Sequence, residues 1–314
     1  MKKIIITGGS GFLGSHLVDK YLKNGYKEED IFIPRSSDYN LIDGSAIDRM
    51  FDDFHPDVVI HLAAIVGGIG FNGDYPATVF HDNLMMGTQL MEKSRLREIK
   101  KFVSIGTICS YPKFTPVPFK ESDFWDGYPE ETNAPYGLSK KMMTVQSEAY
   151  RQQYDFNSIC LLPVNLYGPR DNFNLSECHV IPALIRKIDQ AKLENDDLVV
   201  WGSGTASREF LYIEDAAEGI YLATENYDGT DYINLGSGME ITIKDLVTTL
   251  CELMNFENKI IWDTSKPDGQ PRRCLDVSKA EKEFGFKAKT DFLSGLKNTI
   301  SWYQENKEMV LNND

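Results

Sequence analysis

The chain has no apolar run approaching the ~20 residues a helix needs to cross a bilayer. Its best candidate, DVVIHLAAIVGGIG at 57–70, is interrupted by His61 and by glycines. Positive charge is in deficit: 33 Lys and Arg stand against 47 Asp and Glu, a formal net charge of −14. That balance repels polyanions and anionic membrane surfaces, so neither nucleic acid nor membrane is expected as a partner. Cysteine pairing is missing as well. The five cysteines (109, 160, 178, 251 and 274) form no CxxC pair, and their odd, scattered set fits reduced thiols. The apolar run in the opening MKKIIITGGS is too short for a signal peptide and reads as a strand. A cytoplasmic location is the expectation, and no metal site is read from the sequence.

Short β-rich runs are present in number. KKIIIT, DIFIP, DVVIHLA, KKFVSIG and NSICLLPV alternate with helical patterns such as GSHLVDKYLKNG and NLMMGTQLMEKSRLREI. This alternation predicts an α/β fold, a doubly wound parallel sheet of the Rossmann type with helices on both faces. Beyond Pro163 the pattern loosens into a loop, a helix at VIPALIRKIDQA, strands at LVVWGSG and NKIIW, and two later helices. Residues 1–165 are therefore expected to form a cofactor domain and 166–314 a smaller mixed α/β substrate domain. The boundary is approximate, and the chain is free to cross between the two.

TGGSGFLGSHL follows the first strand and opens a helix, spacing Gly8, Gly11 and Gly14 so that the backbone can approach a pyrophosphate lying on a helix N-terminus. At the end of the second strand stands IFIPRSSD. Arg35, with two serines after it, suits a ribose 2′-phosphate and favours NADP(H), while nearby Asp38 leaves NAD(H) open.

Tyr136 and Lys140 in YGLSK lie four apart, on one face of a helix. An ammonium beside a phenol favours its ionised form and so readies its proton for delivery to a carbonyl oxygen. Thr107, after the KKFVSIG strand, can donate a second hydrogen bond to that oxygen. These motifs together resemble the extended short-chain dehydrogenase/reductases, which implies an NAD(P)-holding Rossmann domain followed by a nucleotide-sugar domain.

A 4-keto sugar held there would have acidic C3 and C5 protons, because the carbanion delocalises into the keto group. Inverting those carbons needs one group to take a proton and another to return one. Cys109 and His179 suit that task chemically. A cysteine after a strand is also commonly a small buried side chain, so the two residues alone leave packing and proton transfer both open.

LAAIVGGI, CSYPK, ETNAPYGLSK, NLYGPRDNF, HVIPALIRK, VVWGSGTASREFLYIEDAA, INLGSG and KPDGQPRRCLDV resemble the GDP-L-fucose synthase family from first strand to last helix. The resemblance implies a GDP-linked 4-keto sugar as substrate, with Tyr136 and Lys140 as the reductase pair and Thr107 where a Ser is common. Cys109 and His179 become the epimerisation acid/base pair. It implies cofactor contacts from Gly8, Gly11, Phe12, Leu13, Gly14, Arg35, Asp43, Leu62, Ala63, Pro163, Asn165, Leu166 and His179 as well as Tyr136 and Lys140. Substrate contacts fall to Asn165, Lys187 (where Arg is typical), Trp201, Arg208 and Asp276, with Asn83 as a further polar lining residue. A homodimer through the helices containing Met85 and Lys140 is implied too. Relatives acting on GDP-linked heptoses or dideoxyhexoses without epimerising remain an alternative, as does an NAD-retaining dehydrogenase or epimerase.

Overall fold

The computed structural model describes residues 1–266 and 268–311. In chain order its elements begin β1 (Ile4–Thr7), α1 (Phe12–Lys23), β2 (Ile31–Phe32), α2 (Gly44–Phe54), β3 (Val58–His61) and α3 (Ile69–Asp74). They continue with α4 (Pro76–Leu96), β4 (Lys101–Ile105), α5 (Ala134–Tyr154), β5 (Ser158–Pro163), β6 (Asn165–Tyr167), α6 (Val180–Glu194), β7 (Leu198–Trp201) and β8 (Ser207–Tyr212). The rest are α7 (Ile213–Asn226), β9 (Ile233–Leu235), β10 (Glu240–Thr242), α8 (Ile243–Leu253), β11 (Ile260–Asp263), β12 (Arg272–Arg273), α9 (Ser278–Phe284), α10 (Phe292–Glu305) and α11 (Lys307–Leu311).

Six strands form one parallel sheet in the order β2-β1-β3-β4-β5-β9. Every residue of β1, β3, β4 and β5 is buried, as a sheet covered on both faces requires. The one lysine in this set, Lys101, is accommodated because its Nζ donates to the carbonyls of Thr224 and Tyr227, both at 2.6 Å, where α7 ends. A cation there also meets the negative end of the helix. The order turns around β1, so a crevice opens outside the carboxyl ends of β1 and β3, the usual ligand position in such sheets.

Residues beyond 165 contribute to this layer. β9 closes the sheet beside β5, α7 lies against α1, and Ile220, Ile233, Leu235 and Phe286 share the core that holds Ile4, Ile6 and Val103. The chain thus leaves the first unit after β5 and returns to it.

A second core gathers Ile185 of α6, Leu246 and Leu250 of α8 and Leu296 of α10 under a small sheet ordered β10-β8-β12, with β6 on β8. A separate parallel pair, β7 with β11, carries Trp201 at its end. Buried Glu209 of β8 ties these pieces together by accepting backbone hydrogen bonds from Leu275 (2.6 Å) and Gly238 (2.7 Å).

Candidate active site

Between the two units lies a cavity of about 1490 Å³, lined by the turn after β1, the ends of β3, β4 and β5, the start of α6 and the inner faces of β7, β8 and β12. One wall is the glycine turn. Gly8 has φ +70°, and a Cβ there would sit 2.8 Å from the Ala63 nitrogen; a Cβ on Gly14 would come within 2.1 Å of the Gly8 oxygen, so that term of the turn admits hydrogen alone. No side chain caps α1 and no acidic residue occupies its first turn, which leaves backbone donors facing the cavity. Phe12, Leu13, Leu62 and Ala63 line the same wall, and Arg35, Ser36 and Ser37 line the cavity beyond β2. This donor set and cradle fit a dinucleotide phosphate.

β4 leads to the second wall. Thr107 follows it and caps a single 3-10 turn, Ile108–Ser110, its Oγ1 accepting from the Cys109 backbone nitrogen at 3.2 Å. With that acceptance made, the Thr107 hydroxyl hydrogen is free to donate elsewhere. Gly137 lets α5 press on this turn: Ser110 Oγ donates to the Gly137 carbonyl at 2.8 Å, and a Cβ on Gly137 would lie 2.4 Å from the Cys109 oxygen. The close approach puts Tyr136 and Lys140 beside Thr107 and Cys109 on the cavity lining.

Burial holds the Tyr136 phenol above its ordinary value, with the Cys109 sulfur adding to the shift, and lowers Lys140 to about 8. The expected pull of Lys140 on Tyr136 does not govern: burial acts on both groups and leaves the phenol protonated, which is the form that can donate. His179 caps the start of α6 by position without a side-chain hydrogen bond. It is open to cavity water yet ringed by protein atoms, and that desolvation holds its imidazole below the usual histidine value.

The far wall carries Trp201, with Lys187 and Lys266 over its ring at 5.2 and 5.1 Å. Arg208 donates to the carbonyls of Ser207 (2.7 Å) and Asp268 (3.2 Å), and burial together with the neighbouring Arg273 lowers it to about 10. Pro163, Asn165 and Leu166 line the floor, Asn165 Nδ2 donating to the Glu209 carbonyl at 2.9 Å and leaving its Oδ1 unclaimed by that bond.

The family model described as "NAD dependent epimerase/dehydratase family" matches residues 4–236. The GDP-L-fucose synthase of Escherichia coli (strain K12) is 35% identical over 317 residues, covering 98% of each chain. The chain belongs to the GDP-L-fucose synthase family. A GDP-L-fucose synthetase of Naegleria fowleri bound to NADP superposes with a TM-score of 0.88 at 29% identity, covering 98% of this chain and 95% of that one. A GDP-6-OMe-4-keto-L-xylo-heptose reductase from C. jejuni superposes at 0.90 with 26% identity, covering 97% and 98%. Members of the GDP-L-fucose synthase family are NAD(P)-dependent enzymes, and this chain is one.

Against that family pattern three residues are not on the cavity lining. Asp43 caps α2, its carboxylate taken by the Ser45 nitrogen and hydroxyl (both 2.8 Å), while Asn40, Leu41 and Ile42 line the cavity in its stead. Asp276 spends its carboxylate on Ser278, accepting from nitrogen at 3.0 Å and hydroxyl at 2.6 Å. Short Asp side chains before a helix compete for backbone donors, which accounts for both. Buried Asn83 bonds both backbone groups of Ile65 (2.9 and 2.7 Å), so it fixes the loop that lines the cavity without facing it.

Among the lining residues without a reading in the sequence are Asn133, Asp171, Gln270 and Arg273. Strand alternation in PRRC was the available signal for Arg273, since one of two adjacent arginines had to point inward. Asp171 is buried with one carboxylate oxygen unpartnered, and burial pushes it up to about 8.

Proposed function

We propose that the protein reduces a GDP-4-keto-6-deoxy-hexose at C4 with NADPH after epimerising C3 and C5, giving GDP-L-fucose or a close analogue. The reading rests chiefly on one observation: Thr107, Cys109, Tyr136, Lys140 and His179 line the same cavity, between the glycine turn and the Trp201/Arg208 wall. In this reading Trp201 offers its face to the base, and Lys187 and Arg208 meet the diphosphate. NADP(H) over NAD(H) is supported by Arg35, Ser36 and Ser37 on the lining, by the absence of Asp38 from it, and by the NADP-bound relative.

Epimerisation comes first, because reduction removes the carbonyl that acidifies its neighbours. Cys109 and His179, one on the turn after β4 and one at the start of α6, take and return the proton at each carbon. The electron pair of the broken C–H bond moves into the C4 carbonyl, whose oxyanion accepts from the Tyr136 and Thr107 hydroxyls. When bound, the dihydronicotinamide supplies a hydride. Tyr136 then gives its proton to the C4 oxygen, and the Lys140 ammonium stabilises the phenolate left behind.

Reduction without epimerisation is the second reading, favoured by the heptose-reductase likeness. Tyr136→Phe in D2O separates the two limbs. NADPH oxidation should fall by about 10²–10⁴-fold, while deuterium still enters C3 and C5 of the recovered substrate, more slowly and with Thr107 as the remaining donor to the oxyanion; unimpaired oxidation would refute the role of Tyr136. The homodimer remains a proposal, supported by Phe80, Leu96, Val145 and Tyr154, exposed on α4 and α5.

A further inference from the structure

Arg273 lies on β12, paired in register with Arg208 of β8. Its neighbour Arg272 turns outward to Glu240 (2.6 Å), whereas Arg273 turns inward and is only 7% exposed. Among the described residues no carboxylate forms an ion pair with Arg273. Its Nε donates to Gln270 Oε1 at 2.8 Å, and Gln270 Nε2 donates to the Lys113 carbonyl at 2.7 Å. That brace fixes the guanidinium against the segment carrying Cys109, and one of its terminal nitrogens donates to Cys109 Sγ at 3.5 Å.

A guanidinium is charged throughout the working pH range, and burying one without an anion is costly. Arg208 of β8 and Tyr136 of α5 also act on Cys109, and the carboxylates of Asp268 and Glu130 act on Arg208 in turn. Arg208 is a second cation and Tyr136 a neutral phenol, and the one charged side chain that hydrogen-bonds Sγ is the Arg273 guanidinium. We propose that Arg273 is a positioning residue for epimerisation, directing Cys109 Sγ into the cavity and favouring its thiolate. The thiolate takes the proton from carbon and becomes a thiol; the C–H electron pair passes into the C4 carbonyl, and the replacement proton comes from His179. The inference rests on the reading of Cys109 as a proton-transfer group.

Its test is peptide-resolved alkylation of the whole protein by iodoacetamide, without substrate or cofactor, since the thiolate is the reacting form. At pH 7.0, Arg273→Gln should slow Cys109 alkylation by about tenfold or more, the gap should close to within about threefold at pH 9.5, and Arg273→Lys should recover much of the rate. An Arg273→Gln rate within about twofold of wild type at pH 7.0, or a faster one from a loosened turn, would overturn the proposal. Should that variant not fold, Gln270→Leu, which removes the brace and keeps the charge, gives the same reading: slower alkylation supports the proposal and an unchanged rate refutes it. With no substrate present, this outcome is separate from the epimerase reading, which fails if C3 and C5 take up no deuterium.

Discussion

Replacing Gly137 with alanine tests whether the close contact between α5 and the turn after β4 sets the catalytic geometry. The added Cβ would lie 2.4 Å from the Cys109 carbonyl oxygen and 2.9 Å from its carbonyl carbon, where ordinary contact begins at 3.4 Å. Both obstacles are backbone, so no side-chain rotation relieves them. The helix and turn must part by 3.4 − 2.4 = 1.0 Å, and the Ser110–Gly137 hydrogen bond stretches with them. Tyr136 precedes the altered position, and Thr107 and Cys109 are on the displaced turn. A misplacement of about 1 Å costs roughly 10²-fold in rate. Overpacking of this kind costs about 1–3 kcal/mol of stability, which lowers Tm by only several degrees in a chain of this size. NADPH oxidation should therefore drop about 100-fold in a protein that remains folded by circular dichroism and calorimetry. A kcat within about threefold of wild type, with the fold intact, would refute the claim that this contact registers the site.

Lys140 should set the alkaline limb of the pH profile. Its folded value of about 8 makes kcat/KM fall about tenfold per pH unit above that point as the ammonium is lost, and a profile flat to pH 9.5 would contradict this. The same depression lets the unfolded chain bind more protons between about 8 and 10.5, so this group's contribution to stability rises with pH across that window. Lys140→Met should accordingly be inactive yet more stable at pH 7, by on the order of 3 kcal/mol; a lower Tm would show that the buried ammonium is not a cost. Arg35→Ser should weaken NADPH binding by about 10- to 100-fold and leave NADH within about threefold; equal losses for both would remove Arg35 from the 2′-phosphate.

The parallel sheet was legible because β1, β3, β4 and β5 are buried on both faces and read as near-continuous apolar runs. β9 escaped notice because Ile233–Leu235 is three residues long, too short to show a period, and its membership depends on a long-range pairing with β5. The same applies to β6, β10 and β12, each three residues or fewer, while the pairing of the six-residue β8 with them is set by tertiary contacts such as the buried Glu209 carboxylate. In the site, the glycine turn and the Tyr136/Lys140 pair are local patterns, visible as spacings. Asp43 and Asp276 lie off the cavity lining with their carboxylates on capping bonds, a placement the sequence does not show because an Asp that caps a turn and an Asp that binds a hydroxyl look alike there. Arg273 was missed because its partner Cys109 is 164 residues away. The state of Tyr136 was likewise beyond the sequence, since burial rather than the neighbouring Lys140 governs it.

The most direct test of the central claim is turnover of GDP-4-keto-6-deoxy-mannose with NADPH in D2O, following absorbance and the NMR spectrum of the product sugar. Stoichiometric NADPH oxidation with deuterium at both C3 and C5 is expected, with loss of that deuterium in Cys109→Ser and His179→Gln. Oxidation with hydrogen retained at both carbons would contradict the epimerase role of Cys109 and His179, and no oxidation at all would contradict the proposed substrate.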